Sequence, residues 1–193
     1  MTPDDIRTAT DDTRLWLERA VIGLNLCPFA KGVHTKQQVR YAVCTSDDPA
    51  VLLEDLRREL LHLAEADPEQ LDTTLLIAPH CLPDFLDFND FLNAADALLE
   101  ELGLEGDYQV ADFHPQYQFG GTDVDDMGNF SNRAPYPTLH LLREDSIDRA
   151  VEAFPEAEAI FEQNIARLEQ IGRAGWQALD VGPHLAPLKD YSR

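Results

Sequence analysis

Apolar side chains recur at helical spacing in several stretches of the chain, and each stretch begins or ends at a residue that caps helices. The first predicted helix begins near Thr2-Pro3-Asp4 or after Thr10-Asp11-Asp12 and ends before Pro28. Leucine stripes predict two further helices over residues 48–66 and 84–102, the second ending at a left-handed Gly103. A short helix is expected to begin at Asp145-Ser146, and the last helix is expected over residues 155–172.

Four shorter stretches have the pattern of β-strands. Residues 38–44 alternate apolar and polar positions, whereas residues 73–78 form a continuous apolar run that is typical of a central strand covered on both faces. Two more strands are predicted over residues 108–114 and 138–142. The order of strands and helices predicts an α/β fold, with a small, mostly parallel or mixed sheet of about four strands and helices packed on it.

The fold is predicted to be a single domain over residues 1–173, followed by an irregular C-terminal tail over residues 174–193, with Trp176 pinning the tail to the surface. Right-handed crossovers would make the first three strands parallel, and the pattern leaves the direction of the fourth strand open.

Charge and cysteine content narrow the classes of partner. The 36 carboxylates against 15 cations give a net charge of -21, which disfavours binding to nucleic acid and to anionic membranes. Three cysteines without a paired spacing are typical of a reducing compartment, and no stretch approaches the length of a membrane span or a signal peptide. We therefore expect a cytoplasmic protein.

The segment from Asp112 to Arg143 contains the candidate site, because it is long, non-repetitive and rich in polar and aromatic groups. His114 follows a predicted strand, two residues after Asp112 on the same face, so His114 could act as a general acid or base that Asp112 orients. The residues expected to bind a substrate are Gln116, Tyr117, Asn132, Arg133 and Tyr136. Arg133 is the expected anchor for an anion, since a guanidinium matches a carboxylate or a phosphate.

Three function classes remain open. The leading hypothesis is a small enzyme or small-molecule-binding domain whose pocket joins residues 112–119 to residues 129–140 and accepts a small polar or anionic molecule. The second is a non-catalytic interaction domain that displays Tyr117, Phe119, Phe130 and Tyr136. The third is a metal-binding domain that uses His114 and His140. No dinucleotide, phosphate-loop or serine-hydrolase motif is present, so the sequence assigns no cofactor, substrate or reaction class.

Three motifs resemble an uncharacterised bacterial family, domain of unknown function 1415. They are Asn25-Leu26-Cys27-Pro28-Phe29-Ala30, His114-Pro115-Gln116-Tyr117-Gln118-Phe119, and the run from Asn132 to Glu144. The resemblance covers nearly the full length of the chain and implies no assigned activity or catalytic residue. Family members read Asn-Arg-Ser-Pro-Tyr-Pro where this chain has Ala134, so a serine hydroxyl there is not essential to its function.

Overall fold

The computed structural model describes residues 1–153 and 159–185. The helices are α1 (Pro3–Trp16), α2 (Ala30–Thr35), α3 (Pro49–Glu65), α4 (Phe85–Leu102), α5 (Glu144–Ala153) and α6 (Ile160–Ala178). A π-helical segment, Leu17–Ile22, continues α1, and a 3-10 segment spans Met127–Asn132. The strands are β1 (Val39–Val43), β2 (Thr73–Ile77), β3 (Tyr108–Phe113) and β4 (Thr138–Arg143).

Capping residues explain where the predicted helices begin and end. Thr2 caps α1 in a reciprocal box with Asp5, which decides between the two predicted starts of the first helix. Asp48 and Asp84 cap α3 and α4 through their side chains. Gly103 ends α4 in the left-handed conformation, with φ of 66°, as its position in the sequence predicted.

The four strands form one mixed sheet in the order β1-β2-β4-β3. β1 and β2 are parallel, whereas β4 is antiparallel to both β2 and β3, so β1, β2 and β3 all point the same way. The expected common direction of the first three strands is therefore confirmed, but β3 does not pair with β2. The long segment after β3 brings the chain back to the edge where β3 ended, and β4 then runs back between β2 and β3. β2 is buried along its whole length, as a central strand should be.

Helices cover both faces of the sheet. One face packs on α3 and α4 through a core that includes Leu56, Leu76, Phe88 and Leu139. The other face packs on α1 and the π-helical segment, where Trp16 contacts Phe113 with ring centroids 5.0 Å apart. The single α/β domain with a small mixed sheet is thus the observed architecture.

α6 differs from its predicted extent. The helix kinks at Gly172, where φ is 58°, and continues to Ala178, whereas the sequence analysis ended it near Gly172. Glycine tolerates the left-handed kink, so the chain changes direction there and resumes a helical path. The predicted start at Pro155 lies outside the described residues.

The 3-10 segment packs closely on α6. A Cβ atom added at Gly128 would lie 3.3 Å from Cγ1 of Ile165, so the absence of a side chain allows this approach. Phe130 and Trp176 pack edge to face, with ring centroids 5.1 Å apart. This contact holds the second half of α6 against the loop that precedes β4.

Candidate functional site

The carboxyl ends of β1, β2 and β3 lie at one edge of the sheet, together with the start of β4. The loop between β3 and β4 therefore begins and ends at this edge. All seven residues expected to form the site lie in this loop or at the ends of the strands beside it.

His114 lies inside the protein instead of facing a cavity. Its ring is fully buried beside Phe85 and Phe88. Nε2 lies 3.2 Å from the carbonyl oxygen of Leu82 and so carries the proton, while Nδ1 accepts a hydrogen bond of 3.0 Å from the backbone N–H of Gln116. Burial lowers the pKa of His114. Both ring nitrogens are thus engaged by the backbone, and the ring does not take its orientation from Asp112.

Asp112 lies instead beside Tyr117 and Asn132. Burial raises the pKa of Asp112, and the negative charge of Asp112 contributes, after burial, to the raised pKa of Tyr117. The hydroxyl of Tyr117 interacts with the side chain of Asn132, whose amide also donates to the Asp112 carbonyl oxygen at 3.4 Å. Three of the predicted residues therefore form one half-buried polar cluster.

The other predicted residues do not lie in this cluster. Gln116 is exposed, and its backbone is engaged by His114. Tyr136 is buried, and its hydroxyl donates to Oδ2 of Asp12 at 2.5 Å, so it has a structural partner on α1. Phe130 is also buried. Of the four aromatic residues expected to form an interaction patch, only Tyr117 and Phe119 are partly exposed.

His114 and His140 lie on opposite faces of the sheet. His140 faces Phe113 on the α1 side, whereas His114 packs on Phe85 and Phe88 of α4. Burial lowers the pKa of His140 to about 4. Within residues 1–153 and 159–185, no group of three or more His, Cys, Asp or Glu side chains could hold a metal ion.

Arg133 is held firmly by its surroundings. Its Nε donates to the carbonyl oxygen of Tyr117 at 3.1 Å, and one terminal nitrogen donates to the carbonyl oxygen of Val124 at 2.8 Å. The guanidinium lies 4.4 Å from the centroid of the Phe130 ring. Burial, followed by the nearby positive charge of Arg173, lowers the pKa of Arg133.

A cavity of about 290 Å³ opens beside these two arginines. We call it the arginine pocket. It is lined by Pro115, Phe130, Arg133, Ala134, Pro135, Arg173, Trp176, Gln177, Val181, Gly182 and Pro183. Arg173 lies 5.7 Å from the Phe130 ring and also pairs with the exposed carboxylate of Asp125. Two guanidinium groups therefore flank one aromatic ring at a single cavity.

Half of this pocket was not predicted from the sequence. Pro115, Phe130, Arg133, Ala134 and Pro135 come from the expected loop, but Arg173, Trp176 and Gln177 come from α6. Val181, Gly182 and Pro183 belong to the segment after α6. One feature of the sequence could have indicated the residues from α6: Arg173 follows Gly172 and precedes Trp176 by three residues. A cation and an indole near a helix-breaking glycine are unusual in a solvated tail.

The comparisons with known proteins identify a family but no function. None of the helices in the described ranges is long and apolar enough to cross a membrane. No curated protein and no solved structure showed a significant match to the chain. The family described as "Protein of unknown function (DUF1415)" matches residues 8–178, which include the pocket residues of the loop and of α6 but not Val181, Gly182 and Pro183. The chain therefore belongs to this family.

Proposed function

We propose that this protein binds a small molecule in which a carboxylate or phosphate group adjoins a flat apolar group, and that the arginine pocket is the binding site. One observation carries the proposal: Arg133 and Arg173 lie on the same aromatic ring, Phe130, at the cavity that both of them line. After burial, the charge of Arg173 lowers the pKa of Arg133, and Asp125, which pairs with Arg173, offsets this effect only in part. An anion bound between the two arginines would relieve the remaining repulsion.

The charge of the rest of the protein supports an anion at this place. The chain has 36 carboxylates and 15 cations, and most arginines of the described residues form an ion pair with a carboxylate. Arg133 instead donates to two neutral carbonyl oxygens, which hold the group without neutralising its charge. An anionic ligand would therefore meet a preorganised cation, and little side-chain entropy would be lost on binding.

The other lining residues favour an apolar group next to the anion. Trp176 and Val181 provide apolar surface, and the prolines at 115, 135 and 183 add rigid walls. A volume of about 290 Å³ lies at the small end of ligand pockets, so the expected ligand has the size of a single-ring acid.

The proposal is confined to binding. Catalysis by His114 with Asp112 was part of the leading hypothesis, and it receives the least support from the geometry, because backbone groups occupy both nitrogens of His114. The cluster of Asp112, Tyr117 and Asn132 is connected to Arg133 by the hydrogen bond from Arg133 to the Tyr117 carbonyl oxygen, but none of its residues lines the pocket.

Calorimetric titration with benzoate and phenyl phosphate tests the proposal, with phenol as the uncharged ligand. The two anions should bind, and a ligand at a hundred times its dissociation constant should raise the melting temperature by about 5 to 10 °C. Arg173→Gln removes an exposed guanidinium without disturbing the backbone bonds of Arg133, and we expect it to weaken anion binding about tenfold or more.

Arg167→Gln is the matched control. Arg167 lies on the same helix but lines a separate cavity, so its loss should leave the affinity unchanged. Equal weakening by both substitutions would indicate a nonspecific charge effect and contradict the assignment. If neither anion binds, the result favours the interaction-domain hypothesis. Phe161, which is 55% exposed and packs beside Phe119, would then be the first residue to substitute in a search for a protein partner.

A further inference from the structure

A single carboxylate, that of Asp12, holds three groups from distant parts of the chain. Asp12 lies on α1 and is only 5% exposed. Its Oδ2 accepts from the Tyr136 hydroxyl at 2.5 Å and from the backbone N–H of His184 at 2.8 Å. Its Oδ1 lies 2.5 Å from Nδ1 of His184. A carboxylate only accepts, so Nδ1 of His184 carries a proton and donates it.

Tyr136 and His184 adjoin two walls of the arginine pocket. Tyr136 directly follows Ala134 and Pro135, which line one wall. His184 directly follows Val181, Gly182 and Pro183, which line the other. The backbone N–H of Leu185 also donates to the Tyr136 hydroxyl at 3.1 Å, and this hydrogen bond connects the two segments directly instead of through Asp12.

The segment that carries the second wall is otherwise fastened at its other end. Arg19 of the π-helical segment donates to the carbonyl oxygens of Leu179 and Asp180, at 2.9 and 3.2 Å. Between this anchor and Asp12, the pocket wall spans only Val181, Gly182 and Pro183. Val181 is also buried in the hydrophobic cluster around Trp16, so the part of the wall whose position depends on the contacts of His184 is Gly182 and Pro183.

We propose that Asp12, Tyr136 and His184 form a pH-sensitive clasp that holds two walls of the arginine pocket together when the His184 ring is protonated and loosens one wall when the ring loses its charge. The inference concerns regulation of the pocket, and it rests on the proposed function only for the identity of the ligand. The groups that act electrostatically on the ring are Asp12, from α1, and Asp180, from the same segment, both negative. Tyr136 contacts the same carboxylate and is neutral, because burial and Asp12 raise its pKa.

The direction of the pH effect follows from these neighbours. The hydrogen bond to Asp12, followed by its charge, raises the pKa of His184 above 6.5. A raised pKa means that the ion pair is fully present below about 6.5 and is lost as the pH rises through the folded-state pKa. The proton lost is the one on Nε2, so Nδ1 keeps a neutral and weaker hydrogen bond to Asp12. The walls of the pocket should accordingly be held together more firmly on the acidic side of this transition.

Acrylamide quenching of tryptophan fluorescence measures closure without any ligand. Trp176 lines the pocket, whereas Trp16 is 2% exposed and contributes little to quenching. We expect the quenching constant of the full chain to rise as the pH is raised from about 6 to about 9. His184→Gln should abolish this rise, and Asp12→Asn should give the high value at every pH.

His34→Gln is the control, since it removes another histidine–carboxylate pair, with Glu18 at 3.3 Å, from outside the clasp. It should retain the wild-type pH profile. A profile that is flat in the wild-type protein, or one that His184→Gln leaves unchanged, would overturn the clasp. Circular dichroism of each variant shows whether the fold is retained. Tyr136→Phe removes the hydroxyl that donates to Asp12 and accepts from the Leu185 N–H but keeps the His184–Asp12 pair, so it provides a second variant with an expected intermediate rise.

Benzoate titration at both ends of the pH range separates the two proposals, because the charge of benzoate is constant there. Binding that weakens at high pH in the wild-type protein but not in His184→Gln is the expected result. Equal benzoate affinity at both ends, with pH-dependent quenching, would overturn regulation of binding by the clasp. No benzoate binding at any pH, with pH-dependent quenching, would overturn the proposed ligand and leave the closure of the walls standing.

Discussion

Three histidines near the site have different proton affinities because their surroundings differ. His114 is buried between aromatic rings and bonded to the backbone, and its pKa is lowered. His140 is half-buried on the opposite face of the sheet, and desolvation lowers its pKa to about 4. His184 is exposed on one side and bonded to a carboxylate, and its pKa is raised. The type of residue is the same in each case, so burial and the nearest charge decide whether the ring titrates in the physiological range.

His140 should make the protein sensitive to mild acid. Its folded-state pKa of about 4 lies below the ordinary value of 6.5, so the folded protein binds the proton less tightly than the unfolded chain. The stability associated with the neutral ring is complete above pH 6.5 and is lost as the pH falls toward about 4, by about 2 to 3 kcal/mol. Urea unfolding at several pH values should show a smaller acid loss in His140→Gln than in wild type. His62→Gln, at an exposed position, should match the wild type. If His140→Gln lost as much stability in acid as the wild type does, the role assigned to His140 would be contradicted.

Residue types and spacing indicated some of the residues that lie together in the structure. Arg133 was predicted from its flanking polar residues, and it lines the pocket. Asp112, Tyr117 and Asn132 were predicted and do cluster. Asp12 was read only as part of an alternative helix start, although its place on the same helical face as Ala9 and Trp16 put an acid on an apolar stripe. A buried carboxylate can be suspected from such a position, but its partners at 136 and 184 are more than a hundred residues away.

At the scale of the elements, helix ends and strand ends explain how the loop is supported. The last turn of α3 leaves carbonyl oxygens without helical partners. Arg143, at the end of β4, donates to the carbonyl oxygens of Leu63, Ala66 and Leu71 at 2.5, 2.9 and 3.3 Å, and to the Tyr108 hydroxyl at 2.9 Å. One buried arginine thus joins α3, β3 and β4.

Replacing Arg143 should therefore cost more than replacing a surface arginine. Arg143→Met retains the aliphatic length but removes the guanidinium donor from one buried and two half-buried carbonyl oxygens, and we expect a loss of about 3 kcal/mol in the free energy of unfolding. Arg149→Met, on the exposed face of α5, should change it by less than about 0.5 kcal/mol. Urea denaturation of both variants measures the difference, and similar values for the two would refute the role of Arg143.

Element types and most boundaries followed from local pattern. The starts at Pro3, Pro49 and Phe85, the stop at Gly103 and the fully buried β2 agree with the prediction, because caps, prolines and glycines act within a few residues. The continuation of α6 past Gly172 did not follow, since the contact of Trp176 with Phe130 that stabilises it joins residues far apart in the chain. The place of β4 between β2 and β3 is likewise a property of packing.

At the scale of the whole molecule, the excess of negative charge acts on every part of the structure. A net charge of -21 on 193 residues means that the carboxylates repel one another. Folding increases this repulsion, because it brings the carboxylates closer together. The arginine pocket is a local exception on this surface. Long-range repulsion among the carboxylates and local attraction of an anion to the pocket should respond differently to added salt.

Screening should therefore stabilise the protein. We expect the melting temperature to rise as sodium chloride is increased from about 20 to about 300 mM, because the Debye length falls over this range. Sodium benzoate at the same ionic strength should raise it further in the wild-type protein, whereas in Arg173→Gln the two salts should have more nearly equal effects. A melting temperature that falls with sodium chloride would show that attractive ion pairs outweigh the net repulsion.

Local physics along the chain was sufficient to specify the α/β class, the positions of the helices and strands, and the loop that carries Arg133, since periodicity, caps and composition act between residues close in sequence. Three features could be determined only from the folded chain. They are the strand order, the position of Arg133 and Arg173 at one cavity, and the convergence of Asp12, Tyr136 and His184. Each joins segments far apart in sequence, and their proximity depends on how the sheet, α1 and α6 pack, which no local pattern encodes.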